Sequence, residues 1–171
     1  MTSRAKWELA WKERPSEEAN NLNPAFCGEL IFRAIREFHR EQQRPLGLPL
    51  AFLVLPIALH APTRERLPGN VSAIFGAWVA EQGPYLADLP DRVARLVPIS
   101  REGLLFLMQH KAIAVDEGGV VPGAEPLKIS AKLDKITEDT ADARRAAALL
   151  GRWFARQGQP ALIMQALGVS P

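Results

Sequence analysis

The sequence predicts a mainly α-helical protein carrying one winged-helix-like β-hairpin. Three observations carry that prediction. Apolar residues recur at helical spacing through much of the chain, Pro and Asn sit where helices would open, and two short β-prone runs flank a double glycine. At 171 residues, 47% hydrophobic and 23% charged, the chain has the size and composition to bury a core. The expected organisation is an N-terminal helical region over 1–83, a winged-helix candidate over 84–123 and a C-terminal helical region over 124–171, packed as one compact unit.

Trp7 and Trp11 stand four apart in the charged segment Lys6 to Arg14. On a helix they would form a small apolar ridge for docking onto the protein's own body or a partner. Asn23-Pro24 then opens a helix, because Asn can accept from a free backbone donor and Pro suits the first helical position. Phe26, Leu30, Ile31, Ala34, Ile35 and Phe38 form its apolar face, and Arg44-Pro45 ends it. Leu48 to Leu59 reads as a short buried helix that starts near Pro49 and bends or stops at Pro56. At that length it does not span a bilayer.

Pro62 to Pro68 reads as a polar connection. Asn70 is expected to cap a helix with Val71, Ile74, Phe75, Trp78 and Val79 in one stripe, stopped at Gly83-Pro84. A helix over Tyr85 to Leu96 follows, and then a second one capped by Ser100 and running to His110, with Leu104, Leu105 and Met108 facing inward. Ile113–Val115 and Val120–Val121, separated by Asp116-Glu117-Gly118-Gly119, form the hairpin. Helix, helix, hairpin is the order of a winged helix. Residues 124–139 read as a polar loop with a helical piece around Leu133. Ala146, Leu149, Leu150, Trp153 and Phe154 mark a strong helix closed by Gly158, and Pro160 starts a last short one before Gly168.

The formal charge of +2, from 21 Lys+Arg against 19 Asp+Glu, permits a local basic patch without demanding one. Arg92, Arg95, Arg101 and Lys111 face a single acid, Glu102, close to the hairpin, and form a candidate phosphate-contacting surface. A solvated face is the competing reading. His39, His60 and His110 lie on different elements without the paired spacing of a zinc motif, so no metal is expected. Cys27 near a helix start is a candidate reactive thiol, and more simply a small buried residue. No phosphate-binding Gly-rich loop is present, because Gly118-Gly119 lacks the following Lys-Ser/Thr. Neither a cofactor nor a catalytic centre is expected; an enzyme would need His60 with Arg64, or Cys27 with a histidine, to converge in a pocket. One cysteine and a charged start without an apolar stretch fit a soluble protein of the cytoplasm.

Several blocks resemble the middle component of bacterial three-component ABC systems. They are Arg14-Pro15 with Glu17-Glu18-Ala19-Asn20, Leu22 through Ile31, Leu48 through Pro56 leading to His60 and Thr63-Arg64, Ser100-Arg101-Glu102 with Leu104-Leu105-Phe106, and Leu150-Gly151-Arg152-Trp153-Phe154 with Leu167-Gly168-Val169. The resemblance spans nearly the whole chain and carries no catalytic signature. It implies an accessory adaptor whose partners are an ABC-type ATPase and a third, effector component, in a system of defence against phage or mobile DNA, with direct DNA contact left open. A stand-alone winged-helix transcription regulator, a homodimer on an inverted repeat, is the alternative.

Overall fold

The computed structural model describes residues 11–14, 16, 22–130, 132 and 137–170. Among these, after a 3₁₀ turn at Trp11–Glu13, seven α-helices and one hairpin follow in order. They are α1 (Pro24–Gln42), α2 (Leu48–Ala58), α3 (Ala61–Arg64), α4 (Phe75–Leu86), α5 (Leu89–Gln109), β1 (Ile113–Asp116), β2 (Gly119–Pro122), α6 (Glu138–Ala155) and α7 (Pro160–Ala166). The fold is mainly α with few strands, as the periodicity predicts.

α1 is the axis of the fold. Asn23 accepts from the Phe26 amide at 2.8 Å, Pro24 occupies the first turn, and Gln43 closes the helix in the left-handed conformation with φ 54°. α6, α5 and α2 all pack on α1. α2 is apolar all round and buried from Leu50 to Ala58, apart from the half-buried Phe52. A helix with no polar face has to be covered on every side. It continues two residues past Pro56, so the stop expected there falls later.

α1 and α6 run parallel. Glu29 pairs with Arg144, Glu37 with Arg152 and Glu41 with Arg156, each pair 115 residues apart in sequence. Two helices that keep a constant offset along their length must point the same way. They approach closely at Gly151, whose lack of a side chain lets α6 lie against the Ala34 backbone. Gly28 and Gly103 play the same part where α5 crosses α1. An aromatic cluster then pins α4 to α6: the Trp153 ring lies 4.9 Å from Phe75 and 5.2 Å, edge-on, from Trp78. Both indoles are satisfied, Trp153 donating to the Ala73 carbonyl and Trp78 to that of Arg66. Trp78 and Trp153 thus belong to the core, as their stripes predict.

Three expectations need correction. Asn70 does not cap α4, which starts at Phe75; its side chain accepts instead from Ser72. Gly83-Pro84 does not stop α4, and the break expected before Ser100 does not form, because α5 runs unbroken through Pro98. A proline deprives the carbonyl four residues earlier of its donor. In both helices that residue, Ala80 and Ala94, lies on the exposed face, where solvent can satisfy the carbonyl. The helix–helix–hairpin order of a winged helix is therefore not formed within 84–123. The hairpin itself has the expected pairing, Ile113 to Pro122 through Asp116 to Gly119, with Gly118 at φ 92° in the turn. β2 also pairs with Leu46 through two backbone hydrogen bonds of 2.9 and 3.0 Å, which clamps the hairpin to the α1–α2 connection. Residues 124–130 form no regular element, and Leu133 lies outside the described residues.

Candidate functional site

The candidate surface is the outer face of α5 and the hairpin beside it. Sequence periodicity leaves the rotation of α5 ambiguous, since Leu104, Leu105, Leu107 and Met108 admit more than one stripe. Tertiary contact decides it. Gly103 lies against Gly28 of α1, so Ser100, Gly103, Leu104 and Leu107 face inward and are buried. Leu105 and Met108, expected inside, are turned out at 49% and 43% exposure. With Arg101 they occupy positions i, i+4 and i+7 of one helix face. Val115, at 67% exposure, adds an apolar side chain on the edge strand β1.

The four cationic residues do not converge. Arg95 and Arg101 are exposed and form no ion pair among the described residues. Six residues apart on one helix, they point about 120° away from each other. Lys111 follows the helix in the left-handed conformation, φ 54°, with its ammonium 3.7 Å from Glu125. Arg92 is directed inward. Its guanidinium donates to the Pro56 carbonyl at 2.9 Å and to the Thr63 hydroxyl at 3.1 Å, with Asp88 3.1 Å from Nε. That Nε contact is close but poorly aligned for a hydrogen bond, so it acts mainly as charge pairing.

Arg64 completes the arrangement by donating to the Ala58 carbonyl. Two arginines from α3 and α5 thus cap the last carbonyls of the buried helix α2, which have no intrahelical donors. His60 lies in the same cluster, its Nδ1 2.7 Å from Thr63 Oγ1. Burial depresses its pKa first and the nearby Arg92 charge second, with Arg64 adding in the same direction against Asp88. His60 and Arg64 do come together, but in this capping cluster.

Cys27 is fully buried. Burial, and then Glu102, push its thiol up to about 12, against the opposing pull of Arg14. Arg14 is held by the Glu102 carboxylate through two hydrogen bonds of 2.7 and 3.0 Å. The small-buried-residue reading of Cys27 therefore holds. Moving from the ordinary value of 9.0 to about 12 leaves roughly a thousandfold fewer thiolates at pH 8. Native protein is expected to resist thiol-selective alkylation at that pH and to react fully once unfolded in urea. Equal rates in the two states would contradict the burial.

Trp7 lies outside the described residues, and Trp11 contributes its backbone to the 3₁₀ turn. His39 Nδ1 is 3.4 Å from the Arg44 carbonyl oxygen, and the His110 ring lies tilted against Phe106 with centroids 4.5 Å apart. Among the described residues no group of three or more His, Cys, Asp or Glu could hold a metal ion, and no helix is long and apolar enough to cross a membrane. No curated protein and no solved structure matches the chain. The family model described as ABC-three component (ABC-3C) system Middle Component 3 matches residues 11–171.

Proposed function

Because the chain belongs to the Middle Component 3 family of ABC-three component systems, we propose that it is a non-catalytic accessory subunit linking that system's ABC-type ATPase to its third, effector component. The observation that carries this reading is the outward rotation of Leu105 and Met108. Two large apolar side chains on one helix face, next to Arg101, have the mixed apolar and arginine character of interface anchors. The ATPase is the partner we assign to this face. The setting is the cytoplasm, in defence against phage or mobile DNA. Arg101, exposed on this face, supplies a phosphate contact for DNA brought by the ATPase, while Arg95 points about 120° away from it. Arg92 plays no part in it, because its guanidinium caps α2.

The test is co-expression of the chain with the neighbouring ATPase and effector, followed by nuclease treatment and co-purification. Leu105→Asp with Met108→Asp is expected to abolish recovery of the ATPase while leaving the melting temperature within about 2 °C, since surface substitutions rarely exceed ~0.5 kcal/mol. Undiminished recovery would remove α5 from the interface. A homodimer bound to a discrete inverted-repeat DNA, with no ATPase, would favour the regulator reading.

A further inference from the structure

With α5 as the ATPase-binding face, a reading this inference rests on, we propose that the face continues into an apolar cleft and that an amphipathic helix of the ATPase lies along both. The cleft opens between the start of α2, the first half of α5, and α7 with the residues after it. Its volume is about 260 Å³. Leu48, Phe52, Val93, Val97, Met164 and Val169 line it, and Ser170 is its one polar side chain among the described residues. Leu48 stands 45% exposed at the edge, and Phe52 and Val97 are half-buried.

Val97 joins this cleft to the face described above. Arg101, Leu105 and Met108 lie about 40°, 80° and 20° round α5 from Val97, in a single stripe about 16 Å long. The stripe reads apolar, cationic, apolar, apolar. Arg101 is exposed and forms no ion pair among the described residues, while the adjacent Glu102 is held by Arg14. Charge complementarity therefore asks for a carboxylate set between apolar anchors. The five N–H donors of Arg101 let one edge of its guanidinium hold that carboxylate and leave the other open to phosphate.

Backbone chemistry selects the conformation of the occupant. The cleft wall is almost wholly apolar, so an extended segment laid on it would bury N–H and C=O groups without partners. A helix pairs those groups internally and presents only side chains, the mode in which amphipathic helices fill apolar grooves. The helix required here puts an apolar side chain into the cleft and an acidic one opposite Arg101 a turn further along. Apolar side chains then meet Leu105 and Met108. A free small molecule fits less well, because the cleft is smaller than the ~300–1,000 Å³ of ligand sites and lacks convergent polar groups to orient one.

The experiment places a photoreactive benzophenone side chain at position 48 of the full chain, co-expressed with the ATPase and effector and treated with nuclease, and maps the cross-links by mass spectrometry. We expect cross-links to an ATPase segment whose apolar residues recur at helical spacing around an acidic one. Leu48→Asp and Arg101→Glu should each weaken ATPase binding about tenfold or more. Exchanging the mapped acid for arginine should restore binding to the Arg101→Glu variant. Leu48 begins α2, where a carboxylate suits the helix dipole, and Arg101 has no ion pair to lose, so both variants should melt within about 2 °C of the parent. Ile74→Asp, exposed but outside the cleft, should bind normally. Full binding by Leu48→Asp and Arg101→Glu, alongside loss in Leu105→Asp with Met108→Asp, would overturn the cleft and leave the α5 reading standing. Full binding by every variant would overturn both. Cross-links only to a second copy of this chain or to a segment of alternating pattern, or none from an intact complex, would overturn the helix.

Discussion

Replacement of Gly151 by alanine is expected to destabilise the protein by about 3 kcal/mol, lowering its melting temperature by roughly 6–12 °C. Alanine is the better helix former by about 1 kcal/mol, so intrinsic propensity alone predicts a gain. Contact geometry outweighs it. A Cβ at this position would overlap the Ala34 carbonyl oxygen and lie 2.8 Å from the Ala34 Cα. Both obstacles are backbone of the central helix, and neither can yield without separating α1 from α6. Gly76 provides the internal control. It sits exposed in the first turn of α4, where an added Cβ meets nothing within 4 Å, so Gly76→Ala should be neutral or slightly stabilising. Thermal denaturation of the two variants side by side checks the sign of each, and an unchanged Gly151→Ala would mean that the helices do not touch here.

Glu29→Ala should cost about 3–5 kcal/mol, the loss associated with removing one member of a buried ion pair. The carboxylate accepts from Arg33 Nε, Arg144 Nε and Arg144 Nη2 at 2.9, 2.9 and 3.0 Å. Both guanidiniums are more than nine-tenths buried. Without Glu29, two guanidiniums would lose the carboxylate they share, in a space where water cannot readily replace it. Removing one of those charges as well should recover part of the loss, so Glu29→Ala with Arg144→Met is expected to be less than additive. Strict additivity in urea denaturation would show that the three residues are not coupled.

The elements best read from sequence are those whose ends carry their own chemistry. Asn23-Pro24 at the head of α1, Asp116 to Gly119 in the hairpin and Pro160 at the head of α7 act locally, so local reasoning finds them. Pro98 and Pro84 mislead because their effect depends on whether the carbonyl four residues earlier is exposed. The direction of Leu105 is set by a glycine pair, Gly28 and Gly103, that lie 75 residues apart in sequence. Arg92 joins a cationic count along the chain, yet its guanidinium follows the orphan carbonyls at the end of α2. The arginine-lined groove between α6 and the 64–69 segment draws on Arg33, Arg64 and the 144–152 stretch, which no short window contains. One local signal was present: Arg145, Leu149 and Arg152 fall at i, i+4 and i+7, marking an arginine-rimmed face on α6.

The constant offset of 115 residues between the paired side chains of α1 and α6 has a consequence during synthesis. Closing such a long loop is slow relative to forming local contacts. At translation rates of about 5–20 residues per second, the face of α1 that meets α6 waits roughly 6–23 s for its partner to be made. Throughout that interval the α6-facing side of Ala34 and its neighbours meets solvent or a chaperone, and only the final fifth of the chain covers it. A ribosome stalled before α6 emerges would therefore release a chain whose central helix is exposed along one flank, a form prone to aggregation and proteolysis.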